Sequence, residues 1–125
     1  MRKTALFLVL VLAPLAGANA QNMPLNQFLA KATALEKKGP LALLSGDMKR
    51  LKNEVQSSAN ELRAERLAAL AAGKKPAFCP PQKPTGVGVS EILGHFRSIP
   101  PAQRARMRTK DAWRSLMVKK YPCPA

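Results

Sequence analysis

The spacing of the apolar residues is the feature that most restricts how this chain can fold. In residues 26–38, the apolar residues that recur at intervals of three and four are Phe28, Leu29, Ala32 and Leu35. Such intervals place side chains on one face of an α-helix, whereas no segment alternates apolar and polar residues as a half-buried strand does. The sequence therefore predicts an all-α fold: a small bundle of four to five helices with a Pro-rich connector and one disulfide.

The first half of the mature chain predicts a helical hairpin over residues 26–73. We expect Asn26 to cap the first helix, because a side-chain oxygen at that position accepts a free backbone N–H. Gly39 is suited to the left-handed conformation that ends a helix, and Pro40 cannot continue it.

The second helical stretch is expected over residues 41–72. Ser45-Gly46 predicts a break in this stretch, and Asp47 is a candidate cap for the part that follows. The residues expected to form its apolar stripe are Leu44, Met48, Leu51, Val55, Ser58, Leu62 and Ala69.

The second half changes in character. Residues 74–89 are rich in proline, lack helical periodicity and predict an extended linker. Residues 90–123 then predict a helical segment closed by a disulfide, with a helix over residues 90–99 capped by Ser90. After a proline break, Thr109 is expected to cap the final helix.

The N-terminal residues 1–20 have the three parts of a cleavable signal peptide. Arg2 and Lys3 precede a short apolar run, and an A-x-A motif ends at Ala20. Cleavage between Ala20 and Gln21 leaves a single domain of residues 21–125 with no transmembrane span. The alternative is a membrane anchor, but the apolar run is shorter than the roughly 20 residues that a span needs. The short leader is typical of a bacterial protein that is periplasmic or secreted.

Both cysteines, Cys79 and Cys123, lie in the mature chain. Export to an oxidising compartment favours a disulfide, and two cysteines allow one intramolecular pairing. With a single histidine and no paired cysteine spacing, the sequence predicts no metal site and no cofactor.

The net charge is the most unusual feature of the composition. The chain has 21 Lys and Arg against 7 Asp and Glu, a formal net charge of +14. Without Arg2 and Lys3 the mature chain retains +12, and most of this excess lies after residue 73. A basic cluster in the last helices is the candidate binding surface: Arg97, Arg104, Arg106, Arg108, Lys110, Arg114, Lys119 and Lys120.

Three interpretations of this basic cluster stay open. It could complement an acidic protein partner and steer its approach. It could neutralise phosphates of envelope lipid or of nucleic acid, although aromatic residues suited to base stacking are scarce. It could also be only a solvated cationic surface. Arg104, Arg106 and Arg108 alternate along the connector, so on an extended segment they would point to one side.

The sequence predicts no enzyme. His95 is the single histidine, and the expectation is a solvated position on a helix surface. Glu61 and Glu65 share a helix face but stand among arginines, which favours an ordinary charged face over acid–base catalysis. Gly86 and Gly88 precede a helix without the lysine or the strand of a phosphate-binding loop.

The segment from Cys79-Pro80-Pro81 to Tyr121-Pro122-Cys123, with Trp113 on its last helix, resembles the C-terminal half of the Tai family. These are periplasmic immunity proteins of type VI secretion. The resemblance implies a helical, disulfide-bonded, non-enzymatic protein that binds and blocks a cell-wall amidase. The first half departs from the family, because residues 26–72 contain no cysteine.

These features together predict an exported, non-enzymatic binding protein, immunity-like, that engages an unknown acidic protein through a basic surface. The alternative is a cationic protein that binds an anionic envelope component. Specific nucleic-acid binding is not expected.

Overall fold

In the computed structural model, which describes residues 22–125, the first two helices lie antiparallel. α1 spans Leu25–Lys38, α2 spans Gly46–Ala71, and a 3-10 helix at Gly39–Leu44 joins them. Buried residues of α1 face buried residues of α2, so this pair of helices supplies two sides of the core.

α1 begins at Leu25, and the prediction that Asn26 caps it is wrong. The cap position is Pro24, which lies outside helical geometry and offers no side-chain hydrogen bond. Instead, the Leu25 N–H donates to the Met107 carbonyl at 3.0 Å. A backbone carbonyl from a distant part of the chain therefore satisfies one of the free N–H groups at the helix start.

The connection between α1 and α2 confirms two predictions and corrects two, and the first confirmed is the break at Ser45-Gly46, since α2 begins at Gly46. Gly39 has φ +57°, the left-handed conformation expected of it. Ser45, not Asp47, caps α2, because its Oγ accepts the Asp47 N–H at 3.2 Å. Leu44 was expected in the apolar stripe but is 87 % exposed, because it belongs to the 3-10 helix and not to α2.

Three shorter helices complete the described fold: α3 at Val89–Ser98, α4 at Pro101–Arg104 and α5 at Thr109–Lys120. The predicted cap Ser90 is wrong, since Gly88 holds that position and Ser90 is already helical. Thr109 is likewise the first residue of α5 rather than its cap. Its side chain donates to the Met23 carbonyl at 2.8 Å, so it joins α5 to the start of α1.

The connector between α3 and α5 is not extended. It contains α4 and a following turn, in which the Met107 N–H donates to the Arg104 carbonyl at 3.3 Å. The expectation that Arg104, Arg106 and Arg108 alternate along an extended strand is therefore wrong. Pro101 was also expected to start a short turn through Gln103, and it is the first residue of α4, since proline is well suited to a first helical turn.

The core lies where α1, α2, α3 and α5 meet. Phe28 of α1 and Phe96 of α3 pack edge to face with 5.5 Å between ring centroids, a favoured aromatic geometry. Phe96 and Ala112 are fully buried. The other buried apolar residues include Leu25, Leu29, Ala32, Leu35, Leu51, Leu62, Ile92, Ile99, Trp113, Leu116 and Met117.

The predicted disulfide is confirmed: Cys79 and Cys123 are bonded, with 4.8 Å between their Cα atoms. The Cys79 N–H also donates to the Tyr121 carbonyl at 2.8 Å, and the Tyr121 hydroxyl donates to the Thr85 carbonyl at 3.0 Å. Phe78 is buried beside them. The Pro-rich segment is therefore held against the end of α5 at several points.

Residues 22–125 contain five α-helices and no paired strands, which confirms the all-α bundle with one disulfide. The expected signal peptide, residues 1–20, and its cleavage site at Ala20-Gln21 lie outside the described residues. Among the helices that are described, none is long and apolar enough to cross a membrane.

Candidate functional site

The charged side chains form the candidate site, and the structure divides them into two groups. All seven Asp and Glu of the sequence lie in the described range, and every one has a partner within the fold. Six contact a Lys or Arg, and one accepts backbone N–H groups. The six are Glu36, Asp47, Glu61, Glu65, Glu91 and Asp111.

One cluster of ion pairs, which we call the α5 seam, joins α5 to α2. It consists of Glu61, Glu65, Lys110 and Arg114. Lys110 Nζ lies 2.9 Å from Glu61 Oε2 and 2.6 Å from Glu65 Oε1. Arg114 Nη2 lies 2.9 Å from Glu65 Oε2. Two cations one helical turn apart thus hold two carboxylates one turn apart on the facing helix.

In the α5 seam, the cations favour the charged form of Glu65, and Glu65 favours the charged forms of the cations. Hydrogen bonds from Lys110 and then Arg114 lower the pKa of Glu65, although partial burial opposes them. The same bonds raise the pKa of Lys110, with Glu65 as the larger cause and Glu61 as the second. Glu65 also raises the pKa of Arg114. Glu65, Lys110 and Arg114 therefore stay charged near neutral pH.

Two further cations of the predicted basic cluster join α3 to its neighbours. Arg97 makes two hydrogen bonds with Glu36 of α1, at 2.8 and 3.1 Å. These bonds lower the pKa of Glu36. Lys120 at the end of α5 donates to both oxygens of Glu91, at 2.8 and 2.9 Å. Four of the eight predicted binding residues are thus used inside the fold.

The other four predicted residues make no ion pair with the described carboxylates. Arg104, Arg106 and Arg108, which we call the arginine segment, lie at the entrance to α5. Arg108 Nη1 donates to the Asn22 carbonyl at 3.1 Å, and Arg104 Nε is buried without a partner in the described residues. Lys119 lies near the other end of α5, about 15 Å away along the helix axis. Four of the eight residues thus have carboxylate partners within the fold, and the other four do not.

A groove of about 430 Å³ lies between α3 and α5 and contains His95. The expectation that His95 is a solvated surface residue is wrong: it is half-buried, and its Nε2 lies 2.7 Å from Ser115 Oγ. Burial, and then the nearby Lys119, lower the pKa of His95. The groove therefore holds a neutral imidazole near neutral pH.

The hydrogen-bond directions in this groove constrain its chemistry. Ser115 Oγ donates a hydrogen bond to the Ala112 carbonyl at 2.8 Å, and in that arrangement it accepts a hydrogen bond from His95 Nε2–H. The other ring nitrogen, Nδ1, is buried and has no partner among the described residues. In this arrangement His95 is the donor to Ser115, which is the reverse of the serine-to-histidine hydrogen bond of an activated nucleophile.

Across residues 22–125, no group of three His, Cys, Asp or Glu side chains is placed to hold a metal ion. The pair Glu61 and Glu65, considered above as an acid–base pair, is instead bound by Lys110 and Arg114. Since these cations favour the charged form of Glu65, they oppose the protonation that a general acid requires.

Sequence reasoning missed the role of Glu54. Its Oε1 accepts the N–H groups of Asn22 and Met23, at 2.7 and 2.5 Å, and the residue is only 1 % exposed. It thereby fixes the chain that enters α1 against the middle of α2. The available signal was its position: Glu54 lies three residues after Leu51 and four before Ser58, on the buried stripe.

The second missed feature is the 3-10 helix between α1 and α2. Three of its leucines, Leu41, Leu43 and Leu44, are 70, 73 and 87 % exposed. The sequence signal was the apolar run that begins at Leu41 directly after a pair of lysines. The helical prediction for residues 41–72 includes this run and does not distinguish it from α2.

Comparison with known proteins identifies no relative. No protein-family model matches the chain. No curated protein and no solved structure matches it either. The resemblance of the segment from Cys79 to Cys123 to the Tai family stays an expectation from its residue pattern.

Proposed function

We propose that this chain is an exported, non-enzymatic binding protein that engages an acidic protein partner through its basic surface. The supporting observation is the unequal use of its charges. Of the 21 Lys and Arg residues, Arg2 and Lys3 lie outside the described range and five are in ion pairs, which leaves 14. Every carboxylate, by contrast, is engaged within the fold. An acidic partner would supply the anionic groups that this surface lacks.

Within the predicted basic cluster, the arginine segment is the part best suited to contact the partner. Arg106 is exposed, and neither the Arg106 nor the Arg108 guanidinium forms an ion pair with a described carboxylate, although the Arg108 backbone N–H donates to Asp111. Guanidinium groups bind carboxylates through two parallel hydrogen bonds, a geometry that a lysine cannot match. Lys110 and Arg114, by contrast, already have carboxylate partners and are assigned a structural role.

Export is part of the proposal. A disulfide such as Cys79–Cys123 persists in oxidising compartments and is rare in the cytosol. The leader-like pattern of residues 1–20 supports the same location. We place the mature protein in the periplasm or outside a bacterial cell.

An immunity-like role is the specific form that the Tai resemblance suggests. The bound protein would then be a secreted toxin that this chain neutralises by covering it. A tight, saturable complex with one partner is the property that this form requires, and simple attraction between opposite charges does not provide it.

The test begins with oxidised residues 21–125 immobilised and exposed to envelope and secreted extracts at low and high salt. One protein retained at high salt supports the proposal and names the partner. Retention only of nucleic acid, lipid or mixed acidic proteins, all released by salt, contradicts it, because exposed charge interactions are screened within about 8 Å at physiological ionic strength.

Affinities for the purified partner then locate the contact. We expect the variant R106Q/R108Q to bind roughly tenfold or more weakly, as loss of interfacial arginines commonly does. The matched control K74Q/K75Q removes the same charge from the Pro-rich segment and should change binding by less than about threefold. Equal losses in both variants would show that net charge, and not the arginine segment, drives binding.

A further inference from the structure

The most exposed apolar surface among the described residues lies at one end of the molecule. It consists of Leu41, Leu43 and Leu44 of the 3-10 helix, which we call the leucine tip. Their exposures of 70, 73 and 87 % exceed those of Leu67 and Leu70, which are 49 and 50 %, while Val89, at 72 %, is a single exposed residue at the start of α3. Single exposed leucines are common, but three within four residues form a patch of the kind that marks a binding surface.

The fold holds the leucine tip outward. Ala42, in the middle of the same 3-10 helix, is 6 % exposed and packs into the core. Gly39 sets the turn at one side with φ +57°, and the Ser45 N–H donates to the Ala42 carbonyl at 3.0 Å at the other. Because Ala42 takes the inward position, the neighbouring leucines cannot turn inward without displacing it.

Cations flank the leucine tip on both sides. Lys37 and Lys38 end α1 directly before it, and Lys49 and Arg50 follow in the first turns of α2. All four are exposed, and none is in an ion pair with a described carboxylate. We call them the tip cations. Asp47, the nearest carboxylate in the sequence, is already bound to Lys31 at 3.0 Å.

Two of the tip cations, Lys38 and Arg50, come from different helices and both lie near Asp47. The hydrogen bond from Lys31 is the largest cause that lowers the pKa of Asp47, and Arg50 and Lys38 lower it further through their charge. Lys38 of α1 and Arg50 of α2 therefore both act on Asp47, in the first turn of α2 next to the leucine tip. The leucines protrude beyond a concentration of positive charge.

A second copy of the chain is a poor partner for this surface. Two leucine tips brought face to face would also bring two sets of tip cations together, and like charges across an interface repel. A partner must instead offer an apolar interior behind an anionic layer. A phospholipid surface with anionic headgroups has this layered chemistry.

We propose that the leucine tip docks the protein on an anionic phospholipid surface. The leucine side chains enter the boundary between headgroups and acyl chains, while the tip cations contact lipid phosphates. This goes beyond the proposed function, because it uses a different end of the molecule and does not require the arginine segment. The protein would lie on the membrane with α1 and α2 pointing away from it.

Sedimentation with vesicles tests the proposal. We expect oxidised residues 21–125 to bind vesicles of equal parts phosphatidylglycerol and phosphatidylcholine at least tenfold more tightly than vesicles of phosphatidylcholine alone. Replacing the tip, in L41S/L43S/L44S, should weaken binding to the anionic vesicles by roughly tenfold or more, since each leucine contributes apolar burial. These leucines are exposed, so the variant should keep its melting temperature.

A matched control separates the tip from apolar surface in general. The variant L67S/L70S/V118S also removes three exposed aliphatic side chains, but from α2 and α5 far from the tip. It should bind the anionic vesicles as the wild type does. Equal weakening by both triple variants would overturn the assignment of the tip.

A fluorescent reporter gives a second measurement that does not depend on loss of binding. Trp113 is the only tryptophan and is already buried, so it contributes a constant signal. In L43W the new tryptophan should shift to shorter wavelength on anionic vesicles and be quenched by lipids that carry a quencher in the acyl chain. An unshifted spectrum while the protein is bound would show that the tip does not insert.

Variants that remove positive charge distinguish insertion of the leucine tip from general electrostatic attraction to the vesicles. K37Q/K38Q/K49Q/R50Q should weaken vesicle binding, whereas R106Q/R108Q should not change it. If R106Q/R108Q weakens vesicle binding as much as loss of the tip cations does, then general positive charge explains it and the proposal fails. Since R106Q/R108Q tests the protein partner and L41S/L43S/L44S tests the membrane, each proposal can fail without the other.

Discussion

The α5 seam and the leucine tip use the same kind of residue for opposite purposes. In the seam, Lys110 and Arg114 lie within hydrogen-bond distance of carboxylates on α2. At the tip, Lys49 and Arg50 are exposed and make no ion pair with a described carboxylate. Positive charge holds helices together in the first region and stays available to an outside partner in the second.

A dense run of cations in the sequence therefore does not by itself identify a binding surface. The densest run of cations, from Arg97 to Lys120, contributes four members to internal ion pairs. The sparser cations around the leucine tip have no such partners. What decides availability is whether a carboxylate lies on the facing helix, and only the tertiary structure shows this.

Reduction of the disulfide is expected to lower the stability of the protein more than any of the following substitutions. Cys79 and Cys123 close a separation of 44 residues, for which the chain-entropy model gives about 4 kcal/mol. We expect the reduced protein to melt at least about 10 °C lower. Hydrogen exchange should also accelerate in the Pro-rich segment and the last turn of α5.

The control for reduction is the double variant C79S/C123S, which should melt like the reduced protein and should not respond to reductant. Exchange in the 3-10 helix of the leucine tip should change least, because that helix lies at the opposite end of α2 from the disulfide. An unchanged melting curve under reductant would contradict the structural role of the bond.

The next largest effect concerns Glu54, a carboxylate that accepts backbone N–H groups and forms no ion pair. In E54A the part-buried N–H of Asn22 and the buried N–H of Met23 lose their acceptor, which costs about 2 to 3 kcal/mol of unfolding free energy. Denaturant unfolding measures it. E54Q keeps an oxygen in place and should lose clearly less. An E54A protein as stable as the wild type would show that these hydrogen bonds contribute nothing net.

Much of the fold could be predicted because its determinants are local. The spacing of Phe28 and Leu29 and the glycine at position 39 set α1 and its end, and the structure confirms both. The predicted caps of α1 and α5 were wrong because distant parts of the chain bind the starts of these helices. The carbonyls of Met107 and Met23 bind the starts of α1 and α5, and no local pattern contains these long-range contacts.

The candidate site could be predicted only in part. The sequence located the cations but not their partners, since Lys110 meets Glu65 across 45 positions of sequence. One usable signal was present: Glu61 and Glu65 on one helix, and Lys110 and Arg114 on another, share the same four-residue spacing. The burial of Glu54 on an apolar stripe contradicts the usual exposure of glutamate, so it could not be inferred from residue type.

A pair of charge-matched variants tests the comparison directly. K110Q/R114Q removes both cations of the α5 seam, and we expect a loss of about 1 to 2 kcal/mol, because each partly exposed ion pair contributes up to about 1 kcal/mol. K49Q/R50Q removes two tip cations, and its unfolding free energy should stay within about 0.5 kcal/mol of the wild type. Urea unfolding of all three proteins gives both numbers.

The two variants have the same net charge, so a difference between them cannot come from general repulsion. If both lose the same stability, the distinction between seam and tip is wrong. If K49Q/R50Q is instead more stable than the wild type, the tip cations repel one another in the free protein. That result would strengthen the case that they are retained for a partner.

The smallest expected effect is the pH dependence that Glu65 confers. Hydrogen bonds from Lys110 and then Arg114 lower its pKa in the folded protein below the ordinary value of 4.5. A carboxylate with a lowered folded pKa stabilises the protein fully above the unfolded value and loses this contribution as the pH falls through the folded value. E65Q should therefore be less stable than the wild type by up to about 1 kcal/mol near pH 7, since the pair is partly exposed. The difference should shrink steadily below pH 4.5. Urea unfolding of both proteins across this range measures it, and a difference that stays constant down to low pH would mean that Glu65 acts through packing and not through its charge.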